Sequence, residues 1–142
     1  MNWFTKKVVL VPVDFSEQSK AAIDVGLDAV ERPAGLHVLY VLPVLTRGEW
    51  AFVGGEPSEP TRREATERAL RDQLGNEKYR GVQIAVTFGD PGTEIADYAQ
   101  QIKAEMIVLP SHGRTGLKRL LIGSVAERVC RLAHCPVLVL RS

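Results

Sequence analysis

"VVLVPVDFSEQSKAAIDVGLDAVE", residues 8–31, changes hydrophobic period once, and that change decides the fold class. Its first part, residues 8–13, is apolar at nearly every position, as a strand covered on both faces would be. In the second part Ala22, Val25, Gly26, Ala29 and Val30 recur at i, i+3, i+4, i+7 and i+8, one face of a helix. Asp14 or Ser16 supplies an N-cap between the two parts, with Glu17 three residues after Asp14, and Pro33 and Gly35 end the helix. A buried strand feeding straight into a helix is half of a βα unit.

The same alternation runs to the end of the chain. "LHVLYVL" (Leu36–Leu42), "VQIAVTF" (82–88), "MIVLP" (Met106–Pro110) and "VLVL" (Val137–Leu140) read as further strands. Residues 61–79 are helical and charged, with Ala65, Ala69, Leu70 and Leu74 as a narrow apolar stripe, so an outer helix with one wet face is predicted. "GDPGTEIADYAQQIKAE" places Asp90 or Thr93 at an N-cap, Pro91 in the first turn, and Ile95, Tyr98, Ala99 and Ile102 on one face. Residues 124–133 form the last helix. Strands alternating with helices in this way predict one open parallel α/β sheet of five strands and four crossovers.

Length and composition limit the rest. A chain of 142 residues, 45% hydrophobic and 25% charged, fits a single domain over 1–142 with one core. A net charge of +1 gives no field to hold a polyanion, which argues against nucleic acid. The apolar run at 8–13 is too short for a membrane span and lacks a cleavage pattern, so a cytoplasmic protein is expected. Cys130 and Cys135 with His134 lack a second paired motif, since His37 and His112 stand apart; reduced thiols and no metal are expected. The long connection at 43–60 carries Trp50, Phe52 and Val53, which would pack it onto the body, close a lid over a ligand or form a partner surface.

Ligands of such a sheet bind beyond the carboxyl ends of the strands. In this chain those ends are Asp14, residues 41–43, Gly89 with Asp90, and residues 110–116. The last leads into "LPSHGRTGLKRLLIGSVAERV" (109–129), where Gly113 and Gly116 permit close backbone approach and Arg114, Lys118 and Arg119 offer positive charge. Gly123 and Ser124 open the helix that follows, whose first N–H groups suit an anion. On these features a phosphate cradle and a plain strand-to-helix connection both stand. No G-x-x-x-x-G-K-S/T or G-x-G-x-x-G is present, nor a G-x-S-x-G elbow, and Asp14 and Asp90 show no sign of being paired. Nothing in the sequence requires an enzyme, and no catalytic residue is assigned.

These segments together identify a resemblance. "VLVPVDFSEQSKAAI", "HVLYVLP", "GDPGTEIADYA", "MIVLPSHGRTGLKRLLIGSVAERV" and "CPVLVL" resemble the universal stress proteins over nearly the whole chain. The resemblance implies a doubly wound, Rossmann-like sheet of order 3-2-1-4-5 with helices on both faces, and a homodimer joined through the Val137–Leu140 edge strand. One branch of the family binds ATP through G-x2-G-x9-G-S/T; the aligned pattern here is Pro110-x2-Gly113-x9-Gly123-Ser124, with proline in place of the first glycine.

By similarity, Gly113, Gly123, Ser124 and the backbone of Val125 would hold phosphates, Asp14 and Pro110 would lie near the ribose, and the backbone of Val41 would meet adenine. Pro12 and Arg114 complete the implied set. The ligand implied is ATP, AMP or ADP, with or without Mg, in a stress-response sensor or regulator with at most slow hydrolysis. The other implied reading is a member that binds no nucleotide and acts through protein partners. The nucleotidyltransferases on related sheets fit poorly, because their H-x-G-H string is absent and "SHGR" is the nearest match. Pro110 has no N–H and adds a ring. Losing one hydrogen bond to a charged group costs roughly 1.5–3 kcal/mol, about ten- to a hundredfold in affinity, and a ring that intrudes would cost more.

Overall fold

The apolar run at the start of the chain is buried along its whole length as β1 (Val9–Val13), in a computed structural model that describes residues 3–45, 58–111 and 122–141. Serine ends the extended stretch: Ser16 accepts from the Ser19 N–H and starts α1 (Glu17–Ala29). The capping reading thus resolves to Ser16 and not Asp14. A 3-10 turn at Pro33–Gly35 leads into β2 (Leu36–Leu42). Then come α2 (Glu59–Gln73), a 3-10 turn at Glu77–Tyr79, β3 (Gln83–Phe88), α3 (Pro91–Gln101), β4 (Met106–Pro110), α4 (Ser124–Leu132) and β5 (Val137–Leu140).

All strands are parallel, in the order β3-β2-β1-β4-β5. Alternate side chains of the sheet serve two cores. Val9, Val11, Val38, Val86 and Val108 face Ala22 and Ile23 of α1 and Leu70 of α2. Leu10, Leu39, Ile107 and Leu109 face Ile95 and Ala99 of α3 and Ala126 and Val129 of α4. Each of the valine, leucine and isoleucine side chains contributes about 1.5–3 kcal/mol on burial, and this two-sided covering is what keeps a parallel sheet from water. Gly26 lets α1 lie close to the sheet, since a Cβ there would stand 2.7 Å from Val11 Cγ2 and 2.9 Å from Leu36 Cδ1.

The helix expected over 61–79 is corrected. α2 ends at Gln73, and Asn76 begins a separate turn by accepting from the Lys78 N–H. Its buried stripe holds at Leu70 and Leu74 but differs at the alanines: Ala65 and Ala69 are exposed, while Arg62 and Thr66 are half-buried. Alanine gains little from burial, so Leu70 sets the rotation of the helix, and the residues four and eight before it follow it inward.

Candidate functional site

The strand order reverses between β1 and β4, the place where an open α/β sheet leaves a crevice. Only Val9 with Met106 and Leu10 with Ile107 are in register there. The sequence explains why pairing stops. Ile107 and Ser111 donate toward the β5 side, to Pro136 O and Leu140 O, so alternation turns residues 108 and 110 toward β1. In the Leu10–Ile107 pair it is then Leu10 that faces β4, and residue 12 faces it too. The next two donors along the seam would therefore be residues 12 and 110, and both are proline, without an N–H. Pro12 is buried and Pro110 half-buried at the mouth of the opening so formed.

Beyond β1 the chain turns sharply. Asp14 Oδ1 accepts from the Ser19 hydroxyl at 2.7 Å and from the Ser16 N–H at 3.0 Å, and the Asp14 N–H donates to Ser19 Oγ at 3.0 Å. Phe15 adopts φ 64°, in the left-handed region that side chains rarely occupy, and its ring lies 4.9 Å from that of Tyr40. This bend holds the Asp14 carboxylate at the strand end. Sequence reading singled out Asp14 and missed Phe15 and Ser19; the paired serines at 16 and 19 were the available signal.

Beyond β4, Ser111 is buried, and its carbonyl accepts the Gly123 N–H at 2.5 Å. That bond brings the start of α4 to the end of β4. Gly113 and Arg114 lie outside the described residues. Gly123, the N-cap, has φ −73° and ψ 164° and offers no side chain to the helix. Ser16, Ser58 and Asp90 each cap their own helices through a side chain. The first turn of α4 thus presents N–H groups that have neither an intrahelical acceptor nor a cap side chain, next to the exposed Ser124 and Val125.

On the other side of the crevice, Val41 of β2 is half-buried and in register with Thr87 of β3. After β3, Gly89 takes φ 141°, and Asp90 caps α3. Asp90 Oδ2 accepts from the Thr93 N–H at 3.0 Å and its hydroxyl at 2.9 Å, and pairs with Arg128 Nε at 3.0 Å. The Thr93 N–H first, then its hydroxyl, then the Arg128 charge hold the Asp90 carboxyl below its ordinary range. Arg128, which sequence reading did not single out, thereby brings a charged side chain from α4 to the start of α3. Taken together, the strand ends bring Pro12, Asp14, Val41, Pro110, Gly123, Ser124 and Val125 to one edge of the sheet, with acceptors at Asp14 and anion-seeking N–H groups at α4.

Comparison with known proteins agrees with this architecture. The model of the "Universal stress protein family" matches residues 6–141. The chain is similar to universal stress protein MJ0531 of Methanocaldococcus jannaschii, 36% identical over 95% of this chain and 82% of the relative. Among solved structures it is similar to universal stress protein UspA from Lactobacillus plantarum, with TM-score 0.72 and 25% identity over 95% of this chain and 97% of that one. A family protein from Arabidopsis thaliana, solved with AMP bound, shares the fold at TM-score 0.62 and 19% identity, over 95% and 91% of the two chains.

Proposed function

From the premise that this chain belongs to the universal stress protein family, we propose that it binds ATP or a related adenine nucleotide, AMP or ADP, as a cytoplasmic stress-response regulator. The observation that carries the proposal is the start of α4: a glycine N-cap without a capping side chain, tied by its N–H to Ser111 O at the end of β4. A helix start in that state accepts an anion at its backbone N–H groups. The first-turn amides of Ser124 and Val125 take the phosphates in this reading, together with Gly123 and, from the sequence before it, Gly113 and Arg114. Asp14 and Pro110 lie near the ribose in this reading, beside Pro12, and the backbone of Val41 meets adenine. The Arabidopsis relative solved with AMP supports an adenine mononucleotide as a ligand that this fold can hold. Mg would accompany a triphosphate through its phosphate oxygens, and no described residue is assigned as a base for hydrolysis. The reading includes a homodimer through the β5 edge, whose Leu138 is 40% exposed.

Isothermal titration of the chain with ATP tests the proposal, with Gly123→Val as the control. Valine fits the extended backbone at 123 and crowds the cradle with a branched side chain. Saturable heat that Gly123→Val removes is the expected result. No heat at millimolar ATP would favour the other branch of the family, which acts through partners, with Pro110 as the residue that closes the site.

A further inference from the structure

The cradle has an electrostatic difficulty that Arg128 answers. Asp90 is a carboxylate at the end of β3, ahead of α3, and a phosphate at the start of α4 would meet its charge. Arg128 is on the same face of α4 as Ser124, one turn further along, and side chains on a helix lean back toward its N-terminus. Its stem lies directly on Gly92, where an added Cβ would stand 2.5 Å from Arg128 Cδ and 2.6 Å from Cγ. Its head reaches Asp90 Oδ2 through Nε at 3.0 Å and Thr93 Oγ1 through Nη2 at 3.3 Å. The guanidinium thus stands at the start of α3, on a side chain that springs from the second turn of α4, and joins a helix with its own carboxylate cap to one with none.

We propose that Arg128 is a specificity-determining residue of the nucleotide site: it neutralises Asp90 and adds positive charge beside the α4 start, so that the site ranks ligands by the number of phosphates they carry. The inference rests on the nucleotide reading above. Gly92 is part of the device, because only a residue without a side chain lets the arginine stem cross there. A guanidinium can serve a carboxylate and a phosphate together, since its donors fan out in one plane. Asp90 holds it in place before a ligand arrives.

ATP and AMP affinities, measured for the wild type, Arg128→Gln, Asp90→Asn and the double variant, test this. Arg128→Gln is expected to lower ATP affinity about tenfold and AMP affinity about threefold, a difference that shrinks as salt is raised. In the double variant part of the ATP loss returns, because the repelling carboxylate has gone. Equal losses for ATP and AMP in Arg128→Gln would mean that the arginine only holds the helices together, and would overturn the proposal. Unchanged ATP affinity in that variant would overturn it as well. Absence of binding by the wild type would instead remove the nucleotide reading itself, and this inference with it. Both mutated side chains are more than half exposed, at 56% and 55%, so the variants are expected to fold, which circular dichroism checks.

Discussion

Pro110 acts on the sheet through a missing hydrogen and on the proposed ligand's side of the crevice through an added ring. Toward β1 it leaves the seam without a donor, and toward the proposed ligand it replaces a glycine's open space with a ring. Pro110→Gly supplies an N–H at that point. Its expected effect is a rise in ATP affinity of about ten- to a hundredfold, read by titration calorimetry. An affinity that stays the same would show that the ligand takes nothing from residue 110. At this scale the sequence was partly legible. Asp14, Gly123 and Ser124 could be proposed from the sequence because motif spacing and strand ends mark them. Arg128 could not, because its partners Asp90 and Thr93 belong to another βα unit, and only the packing of α4 on α3 brings them together. Phe15 escaped for a different reason: its left-handed backbone follows from the bend between β1 and α1, and no residue type announces it.

Elements were read more securely than residues, because a period repeated over several positions averages out local exceptions. β2, β4 and β5 have the bounds that their apolar runs suggest. The strand order itself came from family resemblance and not from periodicity, which says nothing about which strands are neighbours. The helix between β2 and β3 differs from its reading in length and in half of its face: charge made it look continuous, and its alanines were weak guides to orientation where Leu70 and Leu74 were sound ones. The contact of α1 with the sheet gives a direct test at this scale. Gly26→Ala puts a methyl 2.7 Å from Val11 Cγ2 and 2.9 Å from Leu36 Cδ1, in a core without room to yield. The gain in helix propensity is about 1 kcal/mol. Overpacking costs about 1–3 kcal/mol, so the net expectation is a loss of stability of up to about 2 kcal/mol, visible as a lower urea midpoint.

For the whole molecule, the exposed β5 edge is the feature with consequences outside the chain. An apolar edge strand is a template for pairing, and Leu138 at 40% exposure leaves apolar surface on it. Light scattering at about micromolar concentrations, in the range where stable interfaces hold, is expected to give twice the chain mass, and Leu138→Lys to give the mass of one chain. A monomeric wild type would remove the homodimer from the proposed function. The seam between β1 and β4 has a consequence of another kind. β3-β2-β1 and β4-β5 are two leaves of one sheet, joined by two register pairs where each leaf is bound within itself by four or more. Any molecule seated across the gap between Pro12 and Pro110 touches both leaves and becomes a clasp between them. Its binding energy then adds to the cohesion of the sheet, and a protein with an occupied crevice resists being pulled apart along that line more than an empty one.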